Sequence, residues 1–200
     1  MTDCAATLGR TAKKATRATP HVEVDGKLQT TLSLESDVGA AAGGINCSAR
    51  SMALWASFVL SKGENADGDQ IVSAAQVEQL LSPVTVLPTR GYMAEHAGSF
   101  LSAYALGWNV STFYGQPYYS HGGGLWGMTT LLAILPRQCL AVFVSNNKLS
   151  AAPRAVANDI LDRFLADVTP DAGKDWVGIV TDAMNTRSSD ANDTVAEAES

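Results

Sequence analysis

A chain of 200 residues with 46% hydrophobic content can bury a real core and has the length of one domain. Its formal net charge of −6 excludes a nucleic-acid binder of the usual electrostatic kind, since no basic stripe is present to neutralise phosphates. The loose cluster of Arg10, Lys13, Lys14 and Arg17 reads as solvated surface.

No apolar run reaches the roughly eighteen residues needed to span a membrane. Met1 to Arg10 lacks the charged region followed by an apolar one that marks a signal peptide, so the chain as it stands is expected in the cytoplasm. Cys4, Cys47 and Cys139 are widely spaced and form no metal or disulfide pattern; Cys139, beside an apolar run, reads as a small core residue. With His21, His96 and His121 scattered along the chain, no zinc site is expected, and no cofactor is implied.

Residues 1–38 have no strong period, but Val22, Val24 and Leu28 flank Asp25-Gly26, a hairpin signal. Gly39 to Asn46 is a small-residue loop that lets backbone pass close to backbone. Ser48 then caps a helix in which Met52, Trp55, Phe58 and Val59 recur at helical spacing before Gly63 ends it. After a polar connection, Ser73 and Gln76 make a capping box for a short helix carrying Val77, Leu80 and Leu81, stopped by Pro83.

From Tyr104 the period changes to two. Tyr104 to Phe113 reads as one strand, Tyr114 to Pro117 as its turn and Tyr118 to His121 as the return strand. Gly122-Gly123-Gly124 interrupts, Thr129 to Leu135 resumes, Pro136 to Gln138 turns the chain, and Leu140 to Val144 is a continuous apolar run. Three or four consecutive antiparallel strands emerge, the last two covered on both faces. Pro153 suits a first helical turn, and Val156, Ile160 and Phe164 with Ala157, Leu161 and Leu165 form an apolar stripe to cover the sheet. The fold class is therefore α+β, an antiparallel meander sheet with helices packed on it, over residues 1–168. Residues 169–200 read as a polar tail, with a short amphipathic helix at 175–185 carrying Trp176, Ile179, Val180 and Met184, then disorder.

The stretch with chemical content is Tyr118 to Met128, with four glycines within six residues at a strand end. Such bareness weakens a strand unless something must approach the backbone. A bare edge can offer N–H donors to a substrate carbonyl, and the imidazole of His121 beside it can donate or accept protons.

The order of motifs is informative. Gly43-Gly44-Ile45-Asn46-Cys47-Ser48-Ala49-Arg50 precedes a helix, Tyr104-Ala-Leu-Gly-Trp108 opens a strand, Ser120-His-Gly-Gly-Gly124 lies beyond a hairpin, and Leu140 to Asn146 leads into a final helix. This series resembles the β-lactamase-related serine hydrolases, the group that includes class C β-lactamases, D-aminopeptidases and related esterases. The resemblance runs from about Met1 to Val168 and is most specific from Gly43 to Leu165. It implies that His121-Gly122-Gly123 is the family's third motif, written Lys-Thr-Gly or His-x-Gly. It also implies that His121 positions substrate or shuttles a proton, and that the Gly124 N–H is an oxyanion donor. The substrate implied is a small molecule with an amide or ester bond.

The same family acts through Ser-x-x-Lys at a helix start, where the amine can deprotonate the hydroxyl, followed by Tyr-x-Asn or Ser-x-Asn. Both motifs should precede Gly43, and residues 1–42 contain neither Ser-x-x-Lys nor Tyr-x-Asn. Ser145-Asn146-Asn147-Lys148 matches by letters, but it follows an apolar strand, precedes the next helix start and comes after the third motif. Ser145 and Lys148 therefore read as a polar connection, and no nucleophile is assigned.

The expectation is a truncated hydrolase with an incomplete β-lactamase/transpeptidase-like fold, lacking the N-terminal strands and the nucleophile helix. It would be inactive alone, since losing the nucleophile of a serine hydrolase removes on the order of 10⁶ in turnover. The alternative is a non-catalytic remnant that binds a ligand or a protein. Either would leave apolar surface and a strand edge uncovered, and self-association through that exposed core is expected.

Overall fold

A computed structural model describes residues 1, 3–7, 17–31, 40–125 and 127–186. Arg10, Lys13 and Lys14, part of the basic cluster, and the segment 187–200 expected to be disordered lie outside the described residues. Strands β1 (His21–Val24) and β2 (Lys27–Thr30) form the expected hairpin. Asp25 and Gly26 both have positive φ, 50° and 72°, the backbone that matches the twist of the flanking strands.

After a helical turn α1 (Ala40–Gly43), α2 (Ala49–Leu60) starts where Ser48 accepts from the Ser51 N–H. Helix α3 (Ala74–Leu81) starts at the Ser73–Gln76 capping box. A further short helix, α4 (Tyr92–Ala97), ends at a left-handed Gly98 and was not expected from periodicity.

The main sheet is an antiparallel meander of six strands, in the order β3 (Thr85–Val86), β4 (Ser102–Tyr104), β5 (Asn109–Phe113), β6 (Gln116–Leu125), β7 (Met128–Leu135) and β8 (Leu140–Asn146). The single strand expected over Tyr104 to Phe113 is two strands. Gly107, at φ 87°, lets the chain reverse, and the Ala105 N–H donates to the Trp108 carbonyl at 2.8 Å. The three glycines expected to interrupt the next strand do not: β6 continues through them to Leu125, held residue by residue against β7. Cβ-less residues weaken a strand without forbidding the ladder, because the backbone supplies the bonds.

Helices cover both faces of this sheet. On one face Leu131, Ala133, Leu135 and Val142 pack with Ala157, Leu161 and Leu165 of α5 (Ala152–Leu165). On the other, Val110, Leu132 and Ile134 pack with Ala56 and Val59 of α2 and Val77 of α3. Only half of the apolar stripe expected on α5 is buried. Val156, Ile160 and Phe164 are exposed, and the buried stripe is completed by Asn158 and Asp162.

A helix over 176–186, which we call α6, docks on the same core. Trp176 and Val180 are fully buried, and the Trp176 ring lies 5.3 Å from that of Phe113 and 6.3 Å, edge-on, from that of Tyr92. Among the described residues no helix is long and apolar enough to cross a membrane.

Candidate active-site strand

The sheet register divides β6 in two. From Gln116 to Ser120 it pairs with β5 on one side, and from Tyr119 to Leu125 with β7 on the other. Strand β5 ends its pairing at Asn109 opposite Ser120, so His121 to Leu125 runs past it with one edge that no strand among the described residues pairs. The Ser120 carbonyl accepts from Asn109 Nδ2 at 3.2 Å and so points to the β5 side. By the alternation of an antiparallel ladder, the backbone groups of Gly122 and Gly124 point to that side as well, toward the open edge.

His121 and Gly123 share one face with Leu132 and Thr130 of β7, and Gly122 and Gly124 share the other with Leu131 and Thr129. The His121 side chain is exposed, and its Nδ1 donates to the Gly107 carbonyl at 2.6 Å. A carbonyl only accepts, so Nδ1 carries a proton, and Nε2 has no hydrogen-bond partner among the described residues. Gly107 therefore has two tasks, reversing the chain between β4 and β5 and orienting the imidazole. The sequence gives a signal only for the first.

Bareness along the strand has an unequal steric basis. A Cβ on Gly123 would lie 3.1 Å from Thr130 Oγ1, a tight contact. On Gly122 and Gly124 it would meet Arg154 Nη2 at 3.5 Å and Leu149 Cδ1 at 3.4 Å, ordinary packing distances. Internal packing thus demands little of Gly122 and Gly124, and their lack of side chains leaves the edge open from the α5 face. Beneath Gly122, Arg154 donates to Tyr92 Oη at 3.4 Å. Burial pushes the Tyr118 hydroxyl up to about 12, with Arg154 acting in the opposite direction, so this phenol stays protonated.

The small-residue loop is held beside the far end of the strand. Ala5 and Asn46 exchange two backbone hydrogen bonds of 2.9 Å, and the Asp3 carboxylate accepts from the Ser51 hydroxyl. Gly44 must be glycine, since a Cβ there would sit 2.5 Å from the Ala6 carbonyl oxygen. Cys4 and Cys47 flank this contact and are disulfide-bonded, which corrects the expectation of unpaired cysteines. With a separation of 43 residues no spacing rule could reveal the pair; the Ala5–Asn46 bridge creates it. Cys139 is free and exposed instead of buried, carried outward at a left-handed turn of φ 50° after the 3₁₀ turn Pro136–Gln138.

The β1–β2 hairpin closes the end of the β6–β7 turn. The His21 N–H donates to the Gly127 carbonyl at 3.2 Å, and a Cβ on Gly127 would lie 2.6 Å from the His21 carbonyl oxygen. Lys148 bridges to His21, and its amine meets Glu23 at 2.6 Å, holding that carboxyl below its ordinary range. Ser145 is exposed on β8, in register with Thr130 and through it with Gly123. It shares the His121 face, two strands away, or about 10 Å. The Lys148 amine is engaged by Glu23, so the structure does not assemble Ser145 and Lys148 as a nucleophile with its base. Among the described residues no group of three His, Cys, Asp or Glu side chains could hold a metal ion.

The Beta-lactamase family profile matches residues 1–167. The chain is 31% identical over 144 residues to an unguisins hydrolase of Aspergillus campestris, a match covering 70% of this chain and 24% of that protein. It is also similar to the octameric penicillin-binding protein homologue from Pyrococcus abyssi, with a TM-score of 0.68 at 18% identity, over 83% of this chain and 34% of that one. The chain thus spans about a quarter of the curated relative and a third of the solved structure. The fold, the profile match and the hydrolase relative agree: the chain belongs to the β-lactamase family.

Proposed function

We propose that this chain forms the substrate-facing wall of a β-lactamase-family hydrolase. Residues His121 to Leu125 act as a template for an extended amide or ester substrate, which adds to the sheet as a strand. The observation that carries this is the one-sided pairing of β6 beyond Ser120, beside an imidazole fixed by Gly107. The Gly124 N–H, aimed at the open edge, is the oxyanion donor, and His121 Nε2 positions substrate or accepts a proton.

Ser-x-x-Lys in family order and Tyr-x-Asn are absent from these 200 residues. Hydrolysis therefore needs a nucleophile from outside this sequence, and the chain alone binds without forming an acyl-enzyme. The same bare edge favours a second reading, a binding module, because strand pairing requires no nucleophile.

Incubation of the chain with a fluorophosphonate or a fluorescent penicillin, followed by intact mass, tests the point. The expected result is an unmodified mass. A stoichiometric adduct that disappears in Ser145→Ala would overturn the proposal and make Ser145 the nucleophile.

A further inference from the structure

Two segments ahead of α2 are held differently from the rest of the molecule. No described residue of 1–7 or of 40–47 is buried, and neither core cluster includes one. Their ties are polar and covalent. Ala5 and Asn46 exchange two backbone bonds, the Gly44 N–H donates to the Ala40 carbonyl at 2.9 Å, and the Cys4–Cys47 disulfide stands beside them. The Asp3 carboxylate, accepting from the Ser51 hydroxyl, adds a tie to the first turn of α2.

Backbone crosses backbone closely here. A Cβ on Gly44 would lie 2.5 Å from the Ala6 carbonyl oxygen and 2.6 Å from that of Ala40. A Cβ on Gly43, in the same stretch, would lie 3.4 Å from Leu125 Cδ2, so the docked segment rests against the end of β6. Segments without buried apolar side chains gain little from leaving water, and exposed backbone bonds of this kind open readily. The covalent link restricts the opened state and so keeps those bonds closed. Both cysteines are half-buried and lie outside the cores, which leaves the bond within reach of an external thiolate.

We propose that Cys4–Cys47 is a redox latch: a dithiol that reduces it releases residues 1–7 and 40–47 from the end of β6 and leaves the six-stranded sheet folded. One thiolate of the reductant attacks a sulfur, the S–S bond breaks, and a mixed disulfide forms; the second thiolate then resolves it. The reductant is oxidised to its own disulfide, while Cys4 and Cys47 take up two electrons and two protons as thiols. Cys139 has no part in the exchange, since it follows the far end of β7, roughly 25 Å along that strand from the Leu125 end. The latch stands independently of what the edge of β6 binds.

The test uses the full chain and dithiothreitol, with amide hydrogen exchange followed by NMR and thiols counted by mass after alkylation without denaturant. One thiol is expected before reduction and three after it. Reduction should speed exchange at Ala5, Gly44 and Asn46 by about tenfold or more, while the amides of residues 131–135 change by less than about twofold. The Cys4→Ser/Cys47→Ser chain should exchange at the fast rate without reductant, and Cys139→Ser should match the parent in both states.

Three thiols before reduction would mean that the bond does not form in solution, and one thiol after it that the folded chain shields the bond; either overturns the latch. Unchanged exchange at Ala5, Gly44 and Asn46 with three thiols free would show that the other contacts suffice to hold the segments. Equal acceleration at residues 131–135 would make the disulfide a staple of the whole fold, and the inference would be wrong. The reduced parent decides the question even where the serine chain does not fold.

Discussion

At its start β6 pairs with β5 over the buried core; past Ser120 it pairs with β7 alone and runs out into an exposed stretch. Around the start the molecule is closed. Tyr118 is buried with Phe113, their rings 5.8 Å apart, and the Trp176 ring of α6 leans on Phe113. Beside them Tyr114 at the β5–β6 turn donates its hydroxyl to Asp162 at 2.5 Å. Around the end the side chains are absent at three consecutive positions, and the bordering leucines face water. The same strand therefore joins a region of closely packed aromatic side chains to one where backbone and apolar groups face water. Buried packing is concentrated around the start of the strand, and exposed backbone and apolar groups around its end.

The largest effect expected from testing that contrast is at the closed end. Trp176→Ala removes a fully buried indole from the cluster under Phe113, and about 3–5 kcal/mol should be lost in urea unfolding. A loss below about 1 kcal/mol would mean that α6 is not part of the cooperative unit.

Asp162 gives the next effect. Burial by itself would raise its pKa, but hydrogen bonds from the Tyr114 hydroxyl and the Gly173 N–H, the latter at 2.7 Å, outweigh it and hold the carboxyl below its ordinary value. A depressed folded-state pKa means that stability is fully present above the unfolded value of about 4. It is lost as pH falls through the lower folded one. Asp162→Ala should cost about 2–3 kcal/mol at neutral pH, since a buried hydroxyl and an N–H lose their acceptor. Asp162→Asn should flatten the fall in stability as pH drops below about 4. Parallel stability curves for the wild type and Asp162→Asn would remove the carboxylate from the account.

What could be read in advance follows the same division between local and distant causes. The β1–β2 turn, the Ser48 cap and the Ser73–Gln76 box depend on residues a few positions apart, and each stands where the spelling puts it. The meander was legible because consecutive period-two segments joined by turn residues leave few other topologies. The Cys4–Cys47 bond, the outward turn of Val156, Ile160 and Phe164, and the burial of Trp176 all depend on which surfaces meet across long separations, and periodicity carries no such information. At the candidate site, His121 and its glycines stood out by composition. Gly107 as the anchor of the imidazole and the overhang of β6 past Asn109 needed the register.

The smallest expected change in stability, and the sharpest test of the open end, is Gly123→Ala. The new methyl would stand on the His121 face, 3.1 Å from Thr130 Oγ1, close enough to push that side chain aside by a few tenths of an ångström. Against this, replacing glycine by alanine restricts the unfolded chain by up to about 1 kcal/mol, so the net change in folding stability should stay within about 1 kcal/mol of zero. Affinity for a capped, fluorescently labelled extended hexapeptide, read by anisotropy, should nevertheless fall by about tenfold or more, because the methyl occupies space over the edge that an incoming strand needs. Adding Thr130→Ala removes the internal contact and should restore any lost stability without restoring affinity. A folded Gly123→Ala chain that binds the peptide as tightly as the parent would show that the ligand does not lie across the His121–Gly123 face. The open end of β6 would then be a strand edge like any other.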